Sequence, residues 1–157
     1  MKFVARAALA ASMLAMVPLN AWADPLTYAQ MKTMIEGMGY TPKEIGQSSP
    51  KLEIALVTPQ FNVPAGIEIT PSGRFIWITA NLGESKIDGE GALQLLKRSS
   101  EWQPTQFWIT KANTLTVGIA INNLDVNAET LKFVFEKLGA DVGKSADIWQ
   151  GPAQSAQ

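Results

Sequence analysis

The 157-residue sequence contains no histidine and no cysteine. The first absence removes the side chain most often used as a general base near neutral pH, and the commonest metal ligand with it. The second removes thiol nucleophiles, thiolate metal centres and disulfides. Small exported domains often lean on disulfides, so this chain must be held by packing, in keeping with its 46% apolar content. Basic runs are missing too. With 13 basic and 14 acidic residues the net charge is −1, which argues against nucleic acid as a partner. After the first residues, no stretch reaches the roughly 20 apolar residues that a membrane span needs.

What is present begins with a three-part leader. Lys2 and Arg6 supply positive charge, and Ala7 to Val17 form a short apolar run. Pro18 and Asn20 break that run, and Ala21-Trp22-Ala23 has the small-x-small pattern of a cleavage site. This is the form of a secretory signal. The expectation is a signal peptide over 1–23, cleavage before Asp24, and a bacterial periplasmic or secreted protein. No membrane span is expected after cleavage. Residues 24–150 then read as one domain, and the polar 151–157 as a disordered tail.

Along that domain the period of apolar residues changes several times. Tyr28, Met31, Ile35 and Met38 recur at helical spacing, which predicts a helix over Leu26 to Met38 capped by Thr27 and stopped at Gly39. Leu52, Ile54 and Leu56 alternate with Glu53 and Ala55, the period of a half-buried strand. A short strand around Ile67 and Ile69, the turn Pro71-Ser72-Gly73 and a third strand over Arg74 to Leu82 follow. Asp88-Gly89-Glu90-Gly91 leads into a helix from Gly89 to about Ser100, with Leu93, Leu96 and Leu95 as its buried stripe. Thr105 to Lys111 and Leu115 to Ile121 make a hairpin around Ala112-Asn113. In the last strand Thr116, Gly118 and Ala120 share one face, small enough to lie under a tryptophan of the neighbouring strand. Asn127 caps a final helix carrying Leu131, Val134, Phe135 and Leu138, which Gly139 interrupts before a further helical piece. The order is α-βββ-α-ββ-α, an α+β domain with helices packed on an antiparallel sheet.

Few residues carry chemistry. Met31, Met34 and Met38 sit on or near one helix face, and thioethers bind Cu(I). The same spacing serves a packed helix or an adaptable interface, so no metal and no cofactor is expected. Asp88-Gly-Glu90-Gly lacks the further oxygen ligands of a calcium loop and reads as a turn and cap. Glu53 and Glu68 are the one carboxylate pair that adjacent strands bring near each other, so a glycoside hydrolase acting on cell-wall sugar is the enzymatic alternative. The aromatic residues are the stronger lead. Phe75, Trp77, Trp102, Phe107 and Trp108 cluster around two strands and a helix. If helices cover one sheet face, alternation leaves at least one tryptophan on the other, and such a patch marks a protein–protein interface.

Leu93-Gln-Leu-Leu-Lys-Arg-Ser-Ser-Glu-Trp102, followed by a short turn and the strand Gln106-Phe-Trp-Ile-Thr, resembles the YbjN-like family of bacterial proteins. The similarity continues through Leu115 to Ile121, Leu124-Asp125 and the capped helix Ala128 to Leu138, and takes in the first helix, Tyr40 and three strands. The family is described as sensory-transduction regulators with a fold like type III secretion chaperones. The resemblance therefore implies a chaperone-like or regulatory protein-binding role and, with it, a homodimer as one assembly. It carries over no catalytic residue. The expected binding residues are Trp77, Phe107 and Trp108, with Met31, Met34 and Met38 as adaptable contacts for a protein partner.

Overall fold

A computed structural model describes residues 24–46, 50–124 and 126–150. The expected leader and tail lie outside the described residues. Helix α1 spans Tyr28–Gly37 and begins with a capping box: the Thr27 hydroxyl accepts from the Gln30 amide, and the Gln30 side chain accepts from the Thr27 amide. Two otherwise unpaired helix-end donors are thereby satisfied. Gly39, just past the helix end, has φ +88°, a conformation that costs glycine nothing.

Among the described residues, six antiparallel strands form one sheet: β1 (Lys43–Ile45), β2 (Lys51–Val57), β3 (Asn62–Ile69), β4 (Phe75–Glu84), β5 (Gln106–Ile109) and β6 (Thr114–Asn122). Their order across the sheet is β1-β2-β3-β4-β6-β5. Two features differ from expectation. The short β1 precedes the three expected strands and pairs with β2, Glu44 facing Leu52. It contains one apolar residue, too few to show a period. A Lys32–Glu44 ion pair of 2.6 Å ties it to α1. Strand β3 also starts earlier than its isoleucines suggest and contains Pro64. β4 pairs with β3 only from Ala65 onward, so the proline stands where one flank of the strand is free of a partner.

Helix α2 (Gly89–Arg98) is capped by Asp88, whose carboxylate accepts from the Gly91 amide at 2.8 Å. A single 3₁₀ turn, Ser99–Glu101, continues it. Helix α3 (Ala128–Lys144) runs through Gly139 without a break, and the short α4 (Ala146–Trp149) follows. The reading of Gly139 as an interruption is corrected by its surroundings. A β-carbon there would lie 3.3 Å from Thr58 Cγ2 and 4.0 Å from Leu56 Cβ. Glycine lets the helix lie close to the sheet at this point.

The core lies between one sheet face and the helices α1 and α3. Leu52, Ile54, Ala65, Ile67, Ile76, Ile78, Val117 and Ile119 come from the strands, and Met31, Ile35, Leu131, Phe135 and Leu138 from the helices. A second, smaller cluster joins Leu95, Trp102, Leu115 and Ile148 at the β5 end. The buried side chain of Asn123 fastens the start of the chain to the sheet. It accepts from the Leu26 amide at 3.1 Å and donates to the carbonyls of Leu26 and Gly73. The domain is α+β, with helices packed on one side of an antiparallel sheet.

Candidate functional site

With the helices on one side, the opposite sheet face is left open among the described residues, and strand alternation decides what stands on it. Ile76, Ile78 and Ala80 of β4 point to the core, which puts Phe75, Trp77, Thr79 and Asn81 on the open face. The register then fixes their neighbours. Trp77 lies between Glu68 of β3 and Ala120 of β6, and Thr79 between Gly66 and Gly118. Gln106 of β5 faces Gly118, and Trp108 faces Thr116.

Trp108 and Trp77 meet on this surface. Their ring centroids are 5.8 Å apart and the rings nearly perpendicular, at 79°, an arrangement that matches the positive edge of one ring to the negative face of the other. Contact across the intervening strand β6 is possible because of residue 118. The Trp108 ring passes over Gly118, where a β-carbon would fall 3.0 Å from Trp108 Cη2. Beside the pair, Thr116 donates to Asn81 Oδ1 at 3.0 Å, and Lys51 forms an ion pair with Glu68. The result is an aromatic centre on a floor of small residues, rimmed by amides and charges, the composition of a protein-contact surface.

The expected binding residues do not form one site. Trp77 and Trp108 are together on the open face. Phe107 points the other way: it pairs with Val117 on the helix-covered side and packs on Trp102 with centroids 5.2 Å apart. Met31 is fully buried, so it belongs to the core and is corrected as a contact residue. Met34 and Met38 are half-buried and pack against the same core. A packed helix face explains all three methionines.

A second surface departs from the expected pattern. In α2 only Leu95 is buried, while Leu93 is 42% and Leu96 71% exposed. The helix turns Leu95 onto Trp102, Leu115 and Ile148 and leaves its neighbours facing out. Between α2 and the edge strand β5 lies a groove of about 360 Å³, whose lining includes Leu96, Phe107, Trp108 and Ile109. Ile109 is 47% exposed. Three leucines within four positions could turn either way, so nothing in the local sequence marks this groove.

The carboxylates Glu53 and Glu68 do share the open face, on adjacent rows: Glu53 faces Gly66 and Glu68 faces Trp77. Glu68 is engaged by Lys51 rather than left free to act with Glu53 on a ligand. Among the described residues, three raised titrations belong to side chains on or beside α1, on the helix-covered side of the sheet. The Lys32 ammonium is held up by its hydrogen bond to Glu44. Burial raises the phenols of Tyr28 and Tyr40, with Glu44 and Glu136 respectively adding to the shift.

No family model matches the chain, and no curated protein matches it either. Among solved structures it is similar to a chain of the heterodimeric complex ExoU–SpcU from the type III secretion system of Pseudomonas aeruginosa. The TM-score is 0.57 at 14% identity, covering 76% of this chain and 98% of that one. Likeness at that identity speaks for the fold, and the fold is that of a type III secretion chaperone-like α+β domain.

Proposed function

We propose that the protein is an exported, non-enzymatic binding module of the YbjN type that holds a segment of a partner protein on its open sheet face. The observation that carries this reading is the Trp77–Trp108 pair, set on a sheet face that no described helix covers. Aromatic anchors ringed by polar groups are the usual energetic centre of a protein interface. The absence of histidine and cysteine leaves the surface without the commonest reactive groups. The similar solved structure is itself one of a heterodimeric complex, which supports a chaperone-like role. The YbjN assignment rests on the apolar pattern from Leu93 to Leu138, and the periplasmic address on the leader. The assembly is read as a dimer.

A photo-reactive residue at Thr79, beside the tryptophan pair on the open face, tests the reading, with one at the exposed Phe133 of α3 as control. Cross-linking in the native periplasm, followed by mass spectrometry, should give one dominant protein adduct from position 79 and none from 133. Trp77→Ala and Trp108→Ala should abolish the adduct formed from a cross-linker at Thr79 while the circular dichroism spectrum is retained. Unfolding of both variants would show the tryptophans to be core and remove the site; retained capture by folded variants would remove the mechanism.

A further inference from the structure

The open face changes character across the sheet. Its charges, Lys51 and Glu68 among them, stand on the strands before β4, whereas β4 from Phe75 to Asn81, β5 and β6 carry none. Polar groups on this uncharged half are amides and hydroxyls, and its donors are in surplus. The indole N–H of Trp149 is used inside the fold, on the Val142 carbonyl at 3.1 Å. Those of Trp77 and Trp108, and the side-chain amides of Gln106 and Asn122, have no protein partner among the described residues. The acceptor Asn81 Oδ1 is already taken by the Thr116 hydroxyl. A sheet face offers no main-chain partner either, because strand N–H and C=O groups lie in the sheet and serve its ladders. A segment laid on this face therefore leaves N–H groups unpaired unless they bond internally or are missing. The shape adds to this. Trp77 and Trp108 meet at 79° and form a corner with flat walls, and Gly66 keeps the floor beside Trp77 low. One step along β4, at about 7 Å, Phe75 is 43% exposed. It lines a cavity of about 180 Å³ together with Leu124 and Pro25, so a proline of this chain already stands beside an aromatic ring of the same face.

We propose that the segment held on the open face is a neutral, proline-rich stretch in the polyproline II conformation. The proposal rests on the reading of that face as a partner site and names what the site selects. Polyproline II has no internal hydrogen bonds and proline has no N–H, so such a segment brings acceptors and few donors. Its carbonyls accept from the indoles of Trp77 and Trp108 and from the Gln106 amide, and its flat rings enter the corner between the indoles. One turn of the helix rises about 9 Å, comparable with the row from Phe75 to the tryptophan pair, so prolines a turn apart reach both. A stiff ligand also loses little conformational freedom on binding. The other two forms of bound peptide fit less well. A strand finds its partners at a sheet edge, and an amphipathic helix needs a long apolar groove, whereas here amides and hydroxyls border the three rings. Without charge on this half, the surface gives no preference to acidic or basic segments.

Indole N–H resonances of the purified, isotope-labelled protein test it, because each tryptophan gives its own signal. The probe is a neutral peptide of repeated Pro-Pro-Ala, about twelve residues long, or four turns. It should shift the signals of Trp77 and Trp108 and leave those of Trp102 and Trp149, which pack on the helix-covered side. The same peptide with serine in place of proline should bind about tenfold more weakly or worse, since its N–H groups go unpaired and its chain must be ordered. Trp108→Phe keeps a ring and loses the donor, so the proline peptide should bind it about five- to tenfold more weakly. Gln106→Ala, at an exposed position of the edge strand, should act in the same direction without touching the ring pair. Phe133→Ser on α3 should leave the affinity unchanged, and circular dichroism shows that each variant is folded. No shift at either tryptophan, equal binding of the serine peptide, or full affinity in both folded site variants would each overturn the proposal. A protein without a proline-rich segment in the Thr79 adduct would overturn it too, while leaving the protein-binding reading intact. Chitotetraose shifting the two tryptophans in place of the peptide would overturn both.

Discussion

The indole of Trp108 occupies the space in which a side chain at position 118 would stand. A β-carbon on Gly118 would lie 3.0 Å from Trp108 Cη2 and 2.9 Å from the Ile78 carbonyl oxygen. One glycine in the middle of β6 thus lets an edge-strand tryptophan cross its neighbour and reach Trp77 on the strand beyond. The open face owes its aromatic centre to that missing side chain.

Gly118→Ala should therefore act on both stability and the surface. The backbone carbonyl of Ile78 cannot swing aside as a flexible side chain can, so the sheet or the ring must give way. Overpacking of this kind costs about 1–3 kcal/mol, read as a lowered urea midpoint. The near-ultraviolet circular dichroism of the tryptophan pair should change at the same time. Unchanged stability with an unchanged tryptophan signal would show that the ring does not rest on residue 118.

Much of this arrangement was legible in the chain because strands write their faces as alternation. The core strands around Ile54, Ile78 and Ile119 could be placed, as could the small-residue face of β6 and the caps Thr27, Asp88 and Asn127. Three features could not. Strand β1 is held by pairing and by the Lys32–Glu44 ion pair, neither of which leaves a period. In α2 the choice among Leu93, Leu95 and Leu96 is made by Trp102 and Ile148, which come from distant parts of the chain. Phe107 and Trp108 are adjacent, so only one could face the open side. Register with β6, rather than residue type, assigns it to Trp108.

The buried carboxylate of Asp141 makes a second case. It is 1% exposed, accepts from the Thr105 hydroxyl at 2.6 Å and pairs with Lys137, whose ammonium also donates to the Trp102 carbonyl at 3.0 Å. Together these bonds tie α3 to the turn that leads into β5. Lys137→Met leaves a buried charge without its counter-ion, and stability should fall by about 3 kcal/mol. Replacing both, as Lys137→Met/Asp141→Leu, should cost less than the single change, because no charge then remains buried. Denaturant midpoints compare them. A single variant more stable than the double would contradict the pairing.

Alkaline pH tests the two tyrosines. Burial lifts the phenols of both Tyr40 and Tyr28 above the usual 10.0. A raised native value means that the folded protein keeps its phenolic protons at pH values where the unfolded chain has lost them. The associated stability is intact below pH 10 and is lost as pH rises above it, through the native values. Phenolate absorbance should titrate above 10.0 in the native protein and near 10.0 in urea. Tyr40→Phe should make the alkaline loss of stability shallower. Native titration at 10.0 would contradict the burial of these rings.

Gly139 is where reading a glycine as a helix breaker met a tertiary contact, and a pair of variants separates the two roles. Alanine inside a helix is favoured over glycine by about 1 kcal/mol. Against that gain, the new methyl group would press on Thr58 Cγ2 at 3.3 Å. Thr58 cannot rotate away freely, because its hydroxyl accepts from the Phe61 amide at 2.8 Å and donates to the Phe61 carbonyl. The two effects should nearly cancel in Gly139→Ala. In a Thr58→Ser background the opposing methyl is gone and the hydroxyl remains, so the same change should stabilise by about 1 kcal/mol. Equal effects in both backgrounds would mean that no contact crosses from residue 139 to the β2–β3 turn.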